Sequence, residues 1–325
     1  MRDANGGSPA QVLAQLTADE LGRAVPPEIE PMLAEIRRRH PGAVAAIVFY
    51  GSCLRTRRYD DGVLDFYVLV DSYEGAYQAS RLLAWANAVL PPNVFYVEVR
   101  DGTRTLRSKY AVLSLRDFRD GCGPHWLQTI IWARFCQPAQ LVHAREPAVA
   151  ALVHDAVVEA VVTMFHRTVA LLPEEAVTLA EVWQRAFAAT YGAELRVESA
   201  EAVAGLYRVD AERYDRAATA ALDVLVSRGV IETRSEGERL RVVFPPGGRW
   251  RLRVAWRVRA LLGKPLAALR LIKSMATFGD WLPYALWKLE RHTGVRIETT
   301  PWQRRHPWIA CWPVFARLLV RRTLR

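Results

Sequence analysis

Residues 47–71 read IVFYGSCLRTRRYDDGVLDFYVLVD. An apolar run ends in Gly51-Ser52, a polar loop follows, and a second apolar run carries Asp65 close to its start. These residue types at this spacing suit phosphate chemistry. Glycine lets a backbone come close to a phosphate, and a serine hydroxyl with nearby backbone N–H groups supplies short donors. A carboxylate on the next strand can hold Mg²⁺, which neutralises a triphosphate and stabilises the attacking and leaving oxygens of an in-line displacement. On this reading Gly51 and Ser52 cradle phosphate and Asp65 binds metal. Arg55, Arg57 and Arg58 in the loop could share the triphosphate charge, although exposed loop arginines are more often simply solvated.

The arrangement resembles the site of the nucleotidyltransferase superfamily related to DNA polymerase β, in which a second acid usually stands two residues after the first. Here that residue is Tyr67. Asp71 shares a face with Asp65 by period two, but on an extended strand it lies about 20 Å away, too far to share a metal. The second acid must come from elsewhere. Glu98 in FYVEVRD is the best candidate, and its plainer reading is an ion pair with Arg100 or Arg116 on an exposed sheet face. Glu194 is the other. His125, His143, His166 and His292 show no HxH or HExxH spacing, so zinc is a poor fit.

The elements that must position these groups follow from periodicity. PEIEPMLAEIRRRH (27–40) has helical spacing, AVAAIVFY (43–50) and LDFYVLVD (64–71) are buried-strand runs, and 74–90 reads as a helix stopped at Pro91-Pro92. NVFYVEVRD (93–101) alternates as a third strand, and 109–118 is a candidate fourth. From about 150 the chain turns helical, over 148–172 and 179–195. Residues 215–246 read as a helix, a Gly229 stop and two short strands, the outline of a winged-helix unit. The expected fold class is therefore α+β: a nucleotidyltransferase-like mixed sheet with helices (1–145), a mostly helical, winged-helix-like part (146–248), and a basic aromatic C-terminal region (249–325).

Composition narrows the partners. The 325 residues carry a formal net charge of +10, so an anionic partner is expected: nucleic acid, nucleotide or an acidic membrane surface. Hydrophobic residues make up 51% of the chain, which argues against global disorder. Cys53, Cys122, Cys136 and Cys311 lack CxxC spacing, which fits a reducing compartment. MRDANGGSPAQ has no signal-peptide apolar region. WIACWPVFARLLV (308–320) is too short to span a bilayer, and no transmembrane segment is expected. Trp302, Trp308 and Trp312 lie among arginines there, which suits either an interfacial membrane helix or an ordinary helical layer with solvated basic faces.

Several segments together resemble one family, the Tam41-type phosphatidate cytidylyltransferases (CDP-diacylglycerol synthases). FYGSC followed by LDFYVLVD lacks the second Asp, as that family does. SKYAVLSLRDF and WARFCQP match it at Lys109, Tyr110, Ser114, Arg134 and Pro138. TYGAELR matches at Tyr191 and Arg196, with Glu194 where the family has Asp. RLIKSMATFG matches at Lys273 and Thr277, with Arg270 one place out of register. Cys53, Ala133 and Ala193 stand where the family has glycine.

The resemblance implies transfer of a cytidylyl group from CTP to phosphatidic acid with Mg²⁺, giving CDP-diacylglycerol and pyrophosphate. Asp65 with Glu98 or Glu194 would be catalytic, and Asp65 and Glu98 would hold the metal. Gly51, Ser52, Lys109 and Arg134 would bind nucleotide; Tyr191, Arg196 and Lys273 would bind substrate. For each cation the plainer reading is a structural ion pair or a solvated side chain. The implied partners are CTP, phosphatidic acid and an anionic membrane surface, with a nucleic-acid partner not expected. The implied place, for a bacterial chain, is the cytoplasmic side of the inner membrane, held peripherally. Two other classes remain: a nucleotidyltransferase with a soluble acceptor, and a non-enzymatic winged-helix protein that binds nucleic acid.

Overall fold

Ser8 starts the first helix, α1 (Pro9–Leu21): its hydroxyl accepts from the Gln11 N–H while the Gln11 side chain takes the Ser8 N–H. The computed structural model describes residues 7–59, 62–194 and 200–277. A 3₁₀ turn leads into α2 (Glu30–Arg39), which buries Met32, Leu33 and Ile36 and ends on three arginines that suit its carbonyl end. The strands β1 (Val44–Tyr50) and β2 (Leu64–Val70) flank the short helix α3 (Ser52–Thr56). The single helix expected over 74–90 is instead two, α4 (Tyr73–Ala76) and α5 (Arg81–Val89), because the Ser80 hydroxyl accepts from the Leu83 N–H and caps a new start. The strand expected over 109–118 begins earlier. β3 (Asn93–Asp101) turns into β4 (Arg104–Ser114), where the Ser114 hydroxyl caps α6 (Leu115–Cys122).

The remainder is mostly helical: α7 (Trp132–Phe135), strand β5 (Ala139–Ala144), α8 (Pro147–Thr168), α9 (Leu179–Ala193), α10 (Ala200–Arg208) and α11 (Ala211–Ser227). A hairpin, β6 (Glu232–Glu236) and β7 (Arg239–Val243), follows as expected, and α12 (Gly248–Thr277) ends the described chain. The fold is α+β. Its main sheet is mixed, ordered β3-β4-β2-β1-β5, with β2 and β4 parallel and the other neighbours antiparallel.

Alternation along the strands divides the core between the two faces of the sheet. Ile47, Phe49, Phe66, Val68, Tyr110 and Val112 pack with α2 on one face. Ala46, Val48, Tyr67, Leu69, Ala111 and Leu113 pack with the helical layer on the other. Asp65 and Lys109 share the parity of Tyr67 and Ala111, so they open onto the helical side. Helix α8 lies at the centre of that layer, contacting α1, α6, α7, α9 and α11. The stretch Pro147–Leu171 is long and apolar enough to cross a membrane, but with Val153, Ala160 and Phe165 fully enclosed it has the surroundings of a core helix.

That core runs across the expected boundary at 145/146, joining Leu13, Val48, Val153, Trp183 and Leu225 in one cluster. The described residues up to Thr277 belong to one compact unit. The aromatic tail (residues 278–325) lies outside the described residues, as does Arg196.

Two histidines, His40 buried and His166 half-buried, set an acid limit on this core. Burial, then the neighbouring Arg167 and Arg228, push His166 down to about 4, and burial also lowers His40. Between the ordinary histidine value of about 6.5 and that lowered value, the unfolded chain binds protons that the native chain does not. Stability should therefore fall as pH drops from about 6.5 towards 4. Urea unfolding at pH 7 and pH 5 checks this, and His166→Gln should flatten the slope.

Candidate active site

Asp65 sits where β2 leaves the shelter of the helical layer. Its carboxylate is half-buried, and its strand partners across the sheet are Tyr50 on β1 and Lys109 on β4. The Lys109 Nζ lies 3.4 Å from Asp65 Oδ1. These residues line a cavity of about 360 Å³ together with Tyr67, Val94 and Ala111 from the sheet. Pro92 lines it from the loop before β3, and Ile130 and Arg134 from the segment around α7. Glu194 comes from the end of α9, and Ala267, Arg270, Leu271 and Ser274 from α12. The four α12 positions follow the i, i+3, i+4, i+7 spacing of one helix face.

Gly51 determines how closely the backbone approaches Asp65. It sits at φ +90°, and a Cβ added there would meet Asp65 Oδ2 at 2.8 Å. Both the conformation and the space exclude a side chain. Gly51→Ala should lower unfolding free energy by about 1–3 kcal/mol from backbone strain alone, and by more where the carboxylate is forced aside. Gly42 is a control, at φ +71° with nothing within 4 Å of an added Cβ. Urea unfolding of Gly42→Ala and Gly51→Ala therefore separates strain from collision.

The cations of the cavity differ in state. Arg134 is half-buried; burial works against its charge, but Tyr50, Tyr67, Glu194 and Asp65 outweigh it and raise its pKa, so the guanidinium stays charged. Arg270 is lowered, by burial first and by Arg134 in opposition to Glu194 and Tyr67. Its Nη1 is buried with no hydrogen-bond partner, while its Nε donates to the Leu266 carbonyl. Arg270 lines the cavity, and a guanidinium with a donor left unsatisfied suits an incoming anion. Glu194 lies between the arginines electrostatically and accepts from the Thr129 hydroxyl.

Tyr67 fills the place of the missing second acid. It is almost fully buried, with ring centroids 5.5 Å from Tyr50 and 5.0 Å from Phe135. Burial raises its hydroxyl pKa, so this part of the wall is a neutral aromatic surface.

Of the residues expected from sequence, Asp65, Lys109, Arg134 and Glu194 come together at the cavity, and Gly51 packs against Asp65. Ser52 is exposed at the start of α3, and its carbonyl accepts from the Thr56 hydroxyl. Glu98 is not on the cavity wall: it accepts from the Tyr96 hydroxyl at 2.6 Å and lies 3.3 Å from Arg107, its partner on β4. Tyr191 is buried in the helical core, stacked on Phe187. Lys273 is turned towards α5, where its Nζ donates to the carbonyls of Ala86, Leu90 and Pro92. Burial, then Arg270, lowers it to about 8. The cation that α12 brings to the cavity is Arg270, three residues earlier. The spacing of Ala267, Arg270, Leu271 and Ser274 was the sequence signal for it.

Among the described residues no group of three or more His, Cys, Asp or Glu side chains gathers as a metal cage. Two carboxylates in one basic cavity still fit Mg²⁺, which commonly takes one or two protein carboxylates and completes its shell with phosphate oxygens and water. No protein-family model matches the chain, and no curated protein matches it at a significant level.

Proposed function

We propose that this protein is a Mg²⁺-dependent nucleotidyltransferase, a phosphatidate cytidylyltransferase that moves CMP from CTP to phosphatidic acid. The observation that carries the reading is the side-chain-free approach of Gly51 to Asp65 at a cavity that also gathers Lys109, Arg134, Arg270 and Glu194. Within it, the mixed sheet is read as nucleotidyltransferase-like, and α11 with the β6–β7 hairpin as winged-helix-like.

Asp65 and Glu194 would hold Mg²⁺, with Glu194 favoured over Glu98 because it lines the same cavity as Asp65. When bound, the ion supplies a Lewis acid that neutralises the triphosphate. The backbone at Gly51 and Ser52 would carry the triphosphate. Lys109 would exchange Asp65 for a phosphate oxygen, and Arg134 and the unpartnered Nη1 of Arg270 would orient two anions against one another. An oxygen of the phosphatidate phosphate attacks the α-phosphorus of CTP, forming a new P–O bond. The bond to the bridging oxygen of the β-phosphate breaks, and pyrophosphate leaves with that electron pair. A phosphate acceptor is already ionised near neutral pH, so no proton has to be removed, and positioning with charge neutralisation accounts for the rate.

Purified protein incubated with labelled CTP, Mg²⁺ and phosphatidate in detergent should form CDP-diacylglycerol and pyrophosphate. No product, or equal product from Asp65→Ala, would sink the reading.

A further inference from the structure

Helix α5 is inside out. It buries Ala84 and Asn87, and it exposes Leu82, Trp85 and Val89 at 72%, 64% and 62%. At i, i+3 and i+7 these three fall on one face. Asn87 is held inside by hydrogen bonds to the Tyr77 hydroxyl, the Val112 carbonyl and the Asn93 N–H. This polar anchor fixes the outward direction of the apolar face. Lys273 of α12 bonds to the carbonyls at the end of α5, so the last turns of the two helices lie together.

Helix α12 repeats the pattern. Leu261, Leu262, Leu269 and Ile272 are exposed, between 42% and 75%, and at 100° per residue they occupy about one quarter of the helix circumference. Exposed Arg251, Arg257 and Lys264 lie within or beside that arc. The helix has eight Lys and Arg residues and no acid. The opposite side, with Leu271 and Ser274, lines the cavity beside Pro92.

We propose that the exposed faces of α5 and α12 form a docking surface for an anionic lipid bilayer, next to the cavity. Large apolar side chains bordered by cations and free of acids fit the interface of a negatively charged membrane. Charge decides against a second copy, because a symmetric contact would set this basic helix against itself. The inference rests on the proposed reaction for its purpose, delivery of a lipid phosphate to the cavity, and it stands on exposure and charge for its geometry.

The test uses the full chain, without nucleotide, and phosphatidylcholine vesicles with and without phosphatidylserine. Wild type should co-sediment with the anionic vesicles, weakly with the neutral ones, and be released by salt. The pairs Leu82→Gln/Trp85→Gln and Leu261→Gln/Leu269→Gln should each weaken binding at least about tenfold. Arg257→Glu/Lys264→Glu should do so only on anionic vesicles. All three should unfold in urea like wild type and turn over a dissolved short-chain phosphatidate as wild type does. Unchanged binding in the variants overturns the proposal. So does a dimer in sedimentation equilibrium that the variants dissociate. Turnover of the dissolved substrate without vesicle binding sinks the surface alone, whereas vesicle binding without turnover sinks the reaction and leaves the surface standing.

Discussion

Asp65→Ala should lower CDP-diacylglycerol formation by about 10²- to 10³-fold while tightening the binding of CTP in the absence of Mg²⁺. The opposite signs follow from the charges of the cavity. Asp65 and Glu194 face Lys109, Arg134 and Arg270, and Asp65 is the counter-ion of Lys109 at 3.4 Å. Without Asp65, one carboxylate remains against three cations, so a bare triphosphate meets a more positive wall. On the proposed reading the same change also removes one of the two carboxylates that would hold Mg²⁺, which is why turnover should fall. Calorimetry with CTP in EDTA gives the first effect, and product formation in saturating Mg²⁺ gives the second. Weaker metal-free binding together with unchanged turnover would place Asp65 outside the chemistry.

Arg213→Met should destabilise the protein by about 3–5 kcal/mol, the usual cost of stranding one member of a buried ion pair. Arg213 on α11 and Glu20 on α1 have only 6% and 4% of their side chains exposed. The guanidinium donates to both carboxylate oxygens, at 2.7 and 3.0 Å, and its third nitrogen donates to the Cys136 carbonyl at 2.9 Å. Alone, the methionine leaves the Glu20 carboxyl enclosed and without its partner. The double variant Glu20→Leu/Arg213→Met removes both charges and should recover most of the loss. Urea unfolding of the two single variants and the double variant gives the coupling energy, and additive losses would mean that the pair contributes no mutual stabilisation.

Some of this architecture could be read from residue order, and the reasons are local. β1 and β2 are uninterrupted apolar runs, and the β6–β7 hairpin is announced by Gly229 and Gly237, both at positive φ. The start of α1 is also legible, through the Ser8–Gln11 capping box and Pro9. β5 was hidden because QLVHA follows a motif read for its arginine. The split between α4 and α5 turns on a single hydroxyl, that of Ser80.

Glu98 and Lys273 show what local pattern leaves open. Period two gives Glu98 the same sheet parity as Asp65, but parity is silent about strand order. In the order β3-β4-β2, Glu98 lies two strands from Asp65, with Arg107 beside it on the strand between. Lys273 and Arg270 lie on the same helix, and which of them meets the cavity depends on where α5 presents its free carbonyls. Asp65, Lys109, Arg134 and Glu194, which line one cavity, are legible as candidates because their types suit phosphate and carboxylate chemistry, wherever in the chain they occur.

The last wall of the cavity, α12, has a consequence for biosynthesis. Arg270 emerges 161 residues after Lys109 (270 − 109). At about 5–20 residues per second of synthesis, the Asp65–Lys109 pair precedes the final cation by roughly 8–32 s. During that interval the lysine keeps the nascent carboxylate neutralised, and a chain interrupted before α12 carries a half-built anion trap. Full assembly of the cavity therefore reports that translation has passed residue 270.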